Sequence, residues 1–157
     1  MRQKVYLESS FVSYLTSRLS PSLIVAGHQL STKRWWEKRR HFFDLFISPL
    51  VLNEIKRGDE EAAKKRVDIV KALPMLAIND QSIELAEALV TETDMPEKAK
   101  EDALHIAIAT FFEIDFLLTW NCRHIANAQI QEKLKTIITQ RGYKMPIIAT
   151  PEELMGW

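Results

Sequence analysis

Residues 102–119, DALHIAIATFFEIDFLLT, join an apolar segment of helical length to a short apolar run. The segment Asp102–Phe112 has only His105 and Thr110 as polar residues after its first position, which predicts a helix buried on nearly all sides. The run Phe116–Thr119 predicts a buried strand. A buried helix beside a buried strand is typical of a parallel sheet covered by helices on both faces.

The rest of the chain repeats this alternation of short apolar runs and longer segments with helical spacing. We therefore predict the α/β class, as a three-layer α/β/α sandwich with a central parallel sheet of four to five strands. With 157 residues, 46% of them hydrophobic, we expect a single domain over residues 1–157. The other predicted strands are Val5–Leu7, Leu45–Ile47 and Met75–Ile78, with Ile147–Ala149 as a weaker one.

Capping residues mark the helix that follows the second predicted strand. Ser48 and Pro49 suit the N-cap and first helical positions, and Gly58 suits the residue after the helix, so we predict a helix over Pro49–Arg57. Asp59 is predicted to cap the next helix.

A long insert, roughly Ser10–His41, should hold two helices. Its tail, Lys33–His41, carries five of the chain's 21 basic side chains around Trp35 and Trp36. Basic residues interleaved with aromatic ones can hold phosphates and stack on bases. The alternative is a solvated helix face with one tryptophan in the core and the other on a partner subunit.

Composition narrows the classes of function. The 21 basic and 21 acidic residues cancel, so any contact with RNA must come from local patches. One cysteine, Cys122, gives no disulfide framework and too few thiolates for a structural zinc site, and it fits the cytoplasm. The amino terminus lacks a leader-like apolar run, and no apolar stretch reaches the roughly 18 residues that span a membrane.

Two glutamates stand at positions suited to chemistry. Glu8 directly follows the first strand, and ligands gather at the carboxyl ends of parallel strands. Its alternative role is to stabilise the helix that starts near Ser9. Glu54 shares a helix face with Leu50 and Val51, which should point inward, although a salt bridge at the rim would also explain it.

Asp102 and Asn121 complete the candidate set. Asp102 lies in the first turn of the apolar helix, where the helix dipole favours its ionised form, and a helix-start acid is the alternative. Asn121 follows the strand Phe116–Thr119, and its alternative is to cap the segment from Cys122 onward. We expect His105 to be packed or hydrogen-bonded rather than a metal ligand.

Three carboxylates and an amide so placed suit Mg²⁺ or Mn²⁺, which prefer oxygen ligands. Carboxylates this close would raise one another's pKa unless a cation neutralised them. With only four glycines and no glycine-rich phosphate loop, the sequence excludes a P-loop nucleotide hydrolase, and no catalytic triad is supported.

The order of these residues resembles that of PIN domains of the VapC toxin type, over essentially the whole chain. Several separated motifs in the right order are more specific than any one of them. The matching stretches are residues 6–11 (YLESSF), 48–55 (SPLVLNEI) with Gly58 and Asp59, 102–107 (DALHIA), 117–121 (LLTWN), 124–127 (HIAN) and 150–154 (TPEEL).

The resemblance implies a divalent-metal-dependent endoribonuclease, the toxin of a type II toxin–antitoxin pair, usually dimeric and silenced by a small antitoxin. It also implies that Glu8, Glu54 and Asp102 hold the ion and that Asn121 completes the site. Two positions depart from the family pattern: the acid after the first strand is usually Asp rather than Glu8, and the fourth acid is here the neutral Asn121. A catalytically silent PIN domain that binds RNA or protein therefore remains the alternative.

Other residues could support such a site. Ser9, Ser10 or Thr119 could bond metal-bound waters, and Arg123, Lys133 or the Lys33–His41 tail could neutralise RNA phosphates. Asp115 precedes its strand, which assigns it to the opposite end of the sheet. A phosphatase with a strand-end nucleophile would need Asp at position 8 and usually a second Asp two residues later, where this chain has Glu8 and Ser10.

Overall fold

The structure, a computed structural model, describes residues 1–156. Within these residues lie four strands and seven α-helices, with single 3₁₀ turns at Arg40–Phe42 and Glu97–Ala99. The strands are β1 Gln3–Leu7, β2 Phe43–Phe46, β3 Phe116–Leu118 and β4 Ile147–Ala149; the helices are α1 Ser9–Thr16, α2 Leu23–Lys38, α3 Pro49–Ile55, α4 Glu60–Val70, α5 Asp80–Thr93, α6 Lys100–Phe111 and α7 Ala128–Gln140.

The four strands form one fully parallel sheet in the order β2-β1-β3-β4. Val5 of β1 is in register with Leu45 on one side and with Phe116 on the other. Since all strands run the same way, their carboxyl ends share one edge of the sheet. Polar residues that follow the strands are therefore brought together at that edge.

Helices cover both faces of this sheet, as the predicted α/β/α sandwich requires. On one face, Phe43 stacks on Trp35 of α2 with ring centroids 5.7 Å apart. On the other face, Tyr6 meets His105 of α6 at 5.7 Å. Helices α1–α4 contact one another, as do α5–α7, which gives the two outer layers. Val5 and Tyr6, which point to opposite faces, are both fully buried.

Several predicted elements differ from the observed ones, and the second strand, predicted over Leu45–Ile47, lies over Phe43–Phe46. Met75–Ile78 is not a strand, because only Met75 bridges Ile47, and the next helix already has its N-cap at Asn79. The helix predicted to reach Arg57 ends at Ile55, since the Arg57 N–H bonds the Glu54 carbonyl three residues back. The weaker run Ile147–Ala149 is a strand, as predicted.

The predicted insert does hold two helices, α1 and α2. Trp35 is fully buried, whereas Trp36 is half-buried and carries the Arg40 guanidinium 4.8 Å from its ring centroid. One tryptophan of the basic tail is therefore a core residue. Among residues 1–156, no helix is both long and apolar enough to cross a membrane.

Candidate active site

Glu8 occupies the junction between β1 and α1 and is 5% exposed. Its Oε2 accepts a hydrogen bond from the Ser10 backbone N–H (2.9 Å), and its Oε1 accepts from the hydroxyls of Ser10 and Thr119, both at 2.5 Å. Glu8 is thus the N-cap of α1, which confirms its proposed part in starting that helix. The same bonds hold the carboxylate at the carboxyl edge of the sheet.

Glu54 lies in the last turn of α3 with its side chain 16% exposed, on a face whose Leu50 and Val51 are buried as expected. Its Oε1 accepts from the Ser9 hydroxyl (2.6 Å) and lies 2.5 Å from Nε2 of His105. Burial raises the pKa of Glu54, but bonding to His105, the charge of that ring and bonding to Ser9 outweigh burial. The pKa falls from 4.5 to about 2.

His105 is fully buried and joins Glu54 to the centre of the sheet. Its Nδ1 lies 2.7 Å from the Tyr6 hydroxyl, which in turn lies 2.7 Å from the Ser48 hydroxyl. Burial lowers the pKa of His105, yet the bond to Glu54 and the charges of Glu8, Glu54 and Asp102 raise it overall. The expectation of a hydrogen-bonded histidine is confirmed.

Asp102 lies in the first turn of α6 with its side chain 18% exposed. Its Oδ1 accepts from Nδ2 of Asn121 and its Oδ2 lies beside Nδ1 of His124, both at 3.0 Å. Burial raises the pKa of Asp102 above its ordinary value of 3.8, and the charge of Glu8 adds to this, despite the bonds from His124 and Asn121.

Asn121 makes contacts that differ from those expected of a metal ligand. Its Oδ1 accepts from the backbone N–H groups of Arg123 (3.3 Å) and His124 (3.1 Å), so the amide caps the turn that follows. Its Nδ2 faces the Asp102 carboxylate. If the amide were flipped, its Nδ2 would face the two backbone N–H groups and its Oδ1 would face the Asp102 carboxylate. The neighbouring groups therefore determine the orientation of the amide.

Three of these side chains form a group able to hold a cation. Glu8, Glu54 and His105 each offer a ligand atom, and these atoms all lie within 4.8 Å of one another. Two carboxylates and an imidazole are suitable donors for Mn²⁺ and, through the oxygens, for Mg²⁺. The donor chemistry therefore fits a divalent ion. Asp102 borders this group and does not belong to it.

Sequence reasoning missed that His105 lies among the candidate metal ligands and that His124 contacts Asp102. His105 stands three residues after Asp102, a spacing that places both side chains on one side of a helix, so its position was visible in the sequence. Nothing local reveals that His124 reaches Asp102, because their contact joins a loop to a distant helix.

The structure also places the residues that the sequence suggested as supports of the site. Ser9 bonds Glu54, and Thr119 bonds Glu8, so both hydroxyls hold acids directly. Arg123 is exposed and takes part through its backbone alone. Asp115 accepts from the Lys4 backbone N–H (2.7 Å) just before β3, at the opposite end of the sheet, as expected.

Comparisons with known proteins gave matches in structure alone. No model of a known protein family and no curated protein sequence matches the chain. Mycobacterium tuberculosis VapC20, a sarcin-ricin loop cleaving toxin, superposes with a TM-score of 0.61 at 17% identity, over 76% of this chain and 92% of its own.

A second solved structure matches over more of the chain. It is VapBC2 from Rickettsia felis, bound to a DNA fragment from its promoter, with a TM-score of 0.60 at 15% identity, over 94% of this chain and 98% of the matched one. Both comparisons agree with the central parallel sheet flanked by helices. The chain therefore has the PIN-domain fold of the VapC-type toxins.

Proposed function

We propose that this protein is a divalent-metal-dependent endoribonuclease, the toxin of a type II toxin–antitoxin pair. The observation that carries the proposal is that Glu8, Glu54 and His105 bring ligand atoms within 4.8 Å of one another at the carboxyl edge of the sheet, with Asp102 near enough for the charge of Glu8 to raise its pKa. The fold shared with VapC20, a toxin that cleaves the sarcin-ricin loop, supports RNA as the substrate.

Glu8, Glu54 and Asp102 would hold Mg²⁺ or Mn²⁺. When bound, such an ion lowers the pKa of a coordinated water and polarises the scissile phosphate. Glu54 or Asp102 orients the attacking water for in-line displacement at phosphorus, and the products carry a 5′-phosphate and a 3′-hydroxyl. His105 keeps the Glu54 carboxylate in place through the 2.5 Å contact.

We assign Asn121 a positioning role rather than a place among the ligands. Its amide oxygen is already occupied by two backbone N–H groups, and its Nδ2 restrains Asp102 together with His124. The neutral amide thus supports an acid where the usual pattern of the family has a fourth acid. Ser9 and Thr119 hold Glu54 and Glu8 in the same way.

The proposed partners follow from the function. RNA is the substrate, a small antitoxin silences the enzyme, the working form is a homodimer, and the site of action is the cytoplasm. The solved VapBC2 assembly supports the antitoxin. The test is expression of this chain with and without a short DNA-binding protein encoded immediately upstream. Growth arrest that the second protein relieves would support the pair, whereas normal growth on expression of this chain alone would contradict the toxin assignment.

The test is cleavage of a panel of structured RNAs by purified protein with Mn²⁺. Asp102→Asn should abolish cleavage while keeping side-chain size. Asp80→Asn is the matched control, because Asp80 is an exposed aspartate in the first turn of another helix, α5. Cleavage that survives Asp102→Ala or Asp102→Asn would refute the assignment.

A silent PIN domain that binds RNA or protein is the second candidate. Two observations favour it: the Glu8 carboxylate already accepts three hydrogen bonds, and Asn121 brings no charge. Calorimetric titration with Mn²⁺ separates the candidates. Weak or absent binding would support the silent domain, and tight binding lost in Asp102→Asn would support the nuclease.

A further inference from the structure

Three aromatic side chains meet beside the acidic residues Glu8 and Asp102: Tyr14 of α1, His28 of α2 and Trp120, which follows β3. The ring centroids of His28 and Trp120 are 4.0 Å apart, with their planes inclined by 14°. Tyr14 lies 6.0 Å from Trp120 and 6.3 Å from His28, at angles of 19° and 20°. If the three rings formed one column, the centroids of its two end rings would be farther apart than these distances. Tyr14 therefore lies beside the stacked pair of His28 and Trp120.

Trp120 joins these rings to the acids. Its backbone N–H donates to the Ser10 hydroxyl (2.8 Å), which itself donates to Glu8. Its neighbours in the chain, Thr119 and Asn121, donate to Glu8 and Asp102 respectively. The aromatic group is therefore part of the same edge of the sheet as the proposed catalytic acids.

The indole is fixed in place before any ligand arrives. Its Nε1 donates to the Thr32 hydroxyl (2.7 Å), and the residue is 9% exposed. Tyr14 and His28 are only half-buried, so their rings supply the surface that a ligand can reach. Rings held in this way lose little conformational entropy on binding, which favours affinity.

We propose that Tyr14 and His28, backed by Trp120, form a stacking site for a nucleobase of single-stranded RNA next to the scissile phosphate. The inference rests on the proposed ribonuclease function and specifies how its substrate is held. A base of any kind presents a π-face to such rings. Losing one base–aromatic stack should weaken binding by about fivefold to a hundredfold.

The proposal predicts that the bases, and not only the phosphates, are recognised at this position. It also predicts a preference for unpaired segments, because a base must leave its own stack to reach the rings. The alternative is that the three rings serve only to pack the α1–α2 pair against the loop after β3. Replacements that keep or remove the π-face distinguish these two roles.

The experiment measures binding of a short fluorescein-labelled single-stranded oligoribonucleotide by anisotropy, in EDTA and at one salt concentration, so that no cleavage occurs. His28→Leu and Tyr14→Leu remove the π-faces, and His28→Phe and Tyr14→Phe retain them. Tyr143→Leu is the matched control, since Tyr143 is a half-buried tyrosine that lies before β4, toward the amino end of the sheet. Thermal unfolding verifies that each variant is folded.

We expect the leucine variants to lose about fivefold or more in affinity, and the phenylalanine variants and Tyr143→Leu to bind as the wild type does. An oligomer with abasic riboses should bind the wild-type protein with a similar loss, a test that does not depend on the leucine variants folding. Equal affinities of the leucine and phenylalanine variants, or of the abasic and native oligomers, would overturn the proposal.

These outcomes separate the stacking site from the ribonuclease function. If the wild-type protein cleaves RNA with Mn²⁺ but the leucine variants bind RNA as tightly as it does, the stacking site is contradicted and the nuclease function stands. Base-dependent binding without any cleavage would defeat the nuclease and retain the stacking site as that of an RNA-binding module. If the wild-type protein binds no oligoribonucleotide, the stacking site is overturned. This outcome covers the possibility that the rings contact a protein partner instead of RNA.

Discussion

Nε2 of His105 lies 2.5 Å from Oε1 of Glu54, while Nδ1 of the same ring lies 2.7 Å from the Tyr6 hydroxyl. A fully buried imidazole thus connects the Glu54 carboxylate to β1, one of the two inner strands of the sheet. The direction of the Glu54 carboxylate is therefore set by α6 and β1 as much as by its own helix. The salt bridge to Lys or Arg considered from the sequence does not form, since nearby Arg57 pairs with Glu101.

Removing the Tyr6 hydroxyl tests this buried chain. Tyr6→Phe leaves Nδ1 of His105 without a partner in the core and leaves the Ser48 hydroxyl with only the Val51 N–H, so we expect the free energy of unfolding to fall by about 1–3 kcal/mol in urea denaturation. Tyr143→Phe, at a half-buried tyrosine outside this chain of hydrogen bonds, serves as control and should change it by less than about 0.5 kcal/mol. Equal losses in both variants would contradict the role of the chain.

The pKa of Glu54 predicts acid sensitivity of the metal-free protein. A folded-state pKa of about 2 against 4.5 gives stabilisation that is present above pH 4.5 and lost as the pH falls toward 2. The loss should be on the order of 3 kcal/mol. His105, whose pKa is raised above 6.5, stays protonated in folded and unfolded chains across this range.

Urea denaturation at a series of pH values measures the effect, with Glu54→Gln as the comparison. The variant should show a flatter dependence on pH in this range. Asp102 acts in the opposite direction, because its raised pKa adds stability as the pH falls. An unchanged slope in Glu54→Gln would show that Glu54 is not the group responsible.

Asn121→Asp should have opposite effects with and without metal. Without metal, a second carboxylate replaces the Nδ2 donor to Asp102, so the melting temperature should fall. With Mn²⁺ in excess, the added charge should strengthen binding and recover the loss. Differential scanning calorimetry with and without Mn²⁺ measures both effects, and a variant that Mn²⁺ stabilises no more than the wild type would contradict the prediction.

Thr119→Val removes the hydroxyl that bonds Glu8 while preserving the shape of the side chain. Partners of metal ligands typically contribute about 10- to 100-fold to metal affinity, so Mn²⁺ binding measured by calorimetry should weaken by that factor. Thr136→Val, at an exposed threonine on α7, is the control. Comparable Mn²⁺ affinities in the two variants would exclude a supporting role for Thr119.

Much of the fold was predictable because its determinants are local. Apolar runs placed β1, β3 and β4, and capping side chains at Ser48 and Asp59 placed the starts of α3 and α4. Met75–Ile78 was mistaken for a strand because a short apolar run does not reveal whether its backbone is paired; here only one bridge forms, beside β2.

The candidate site was predictable in position and less so in contacts. Glu8 and Glu54 could be placed together because parallel strands share a carboxyl edge. The orientation of Asn121 could not be predicted, since it depends on two backbone donors from the following turn and on Asp102 from a distant helix. The contacts of Tyr14 with the stacked pair His28 and Trp120 likewise join three separate parts of the chain.

By itself, the sequence determined which segments are buried and where polar side chains emerge from them, because hydrophobic patterning and capping act over a few neighbouring residues. Only the tertiary structure decided that His105 pairs with Glu54 and that Asn121 turns its amide nitrogen to Asp102. Such pairings depend on which donors other elements bring within about 3 Å, a distance that no local pattern encodes.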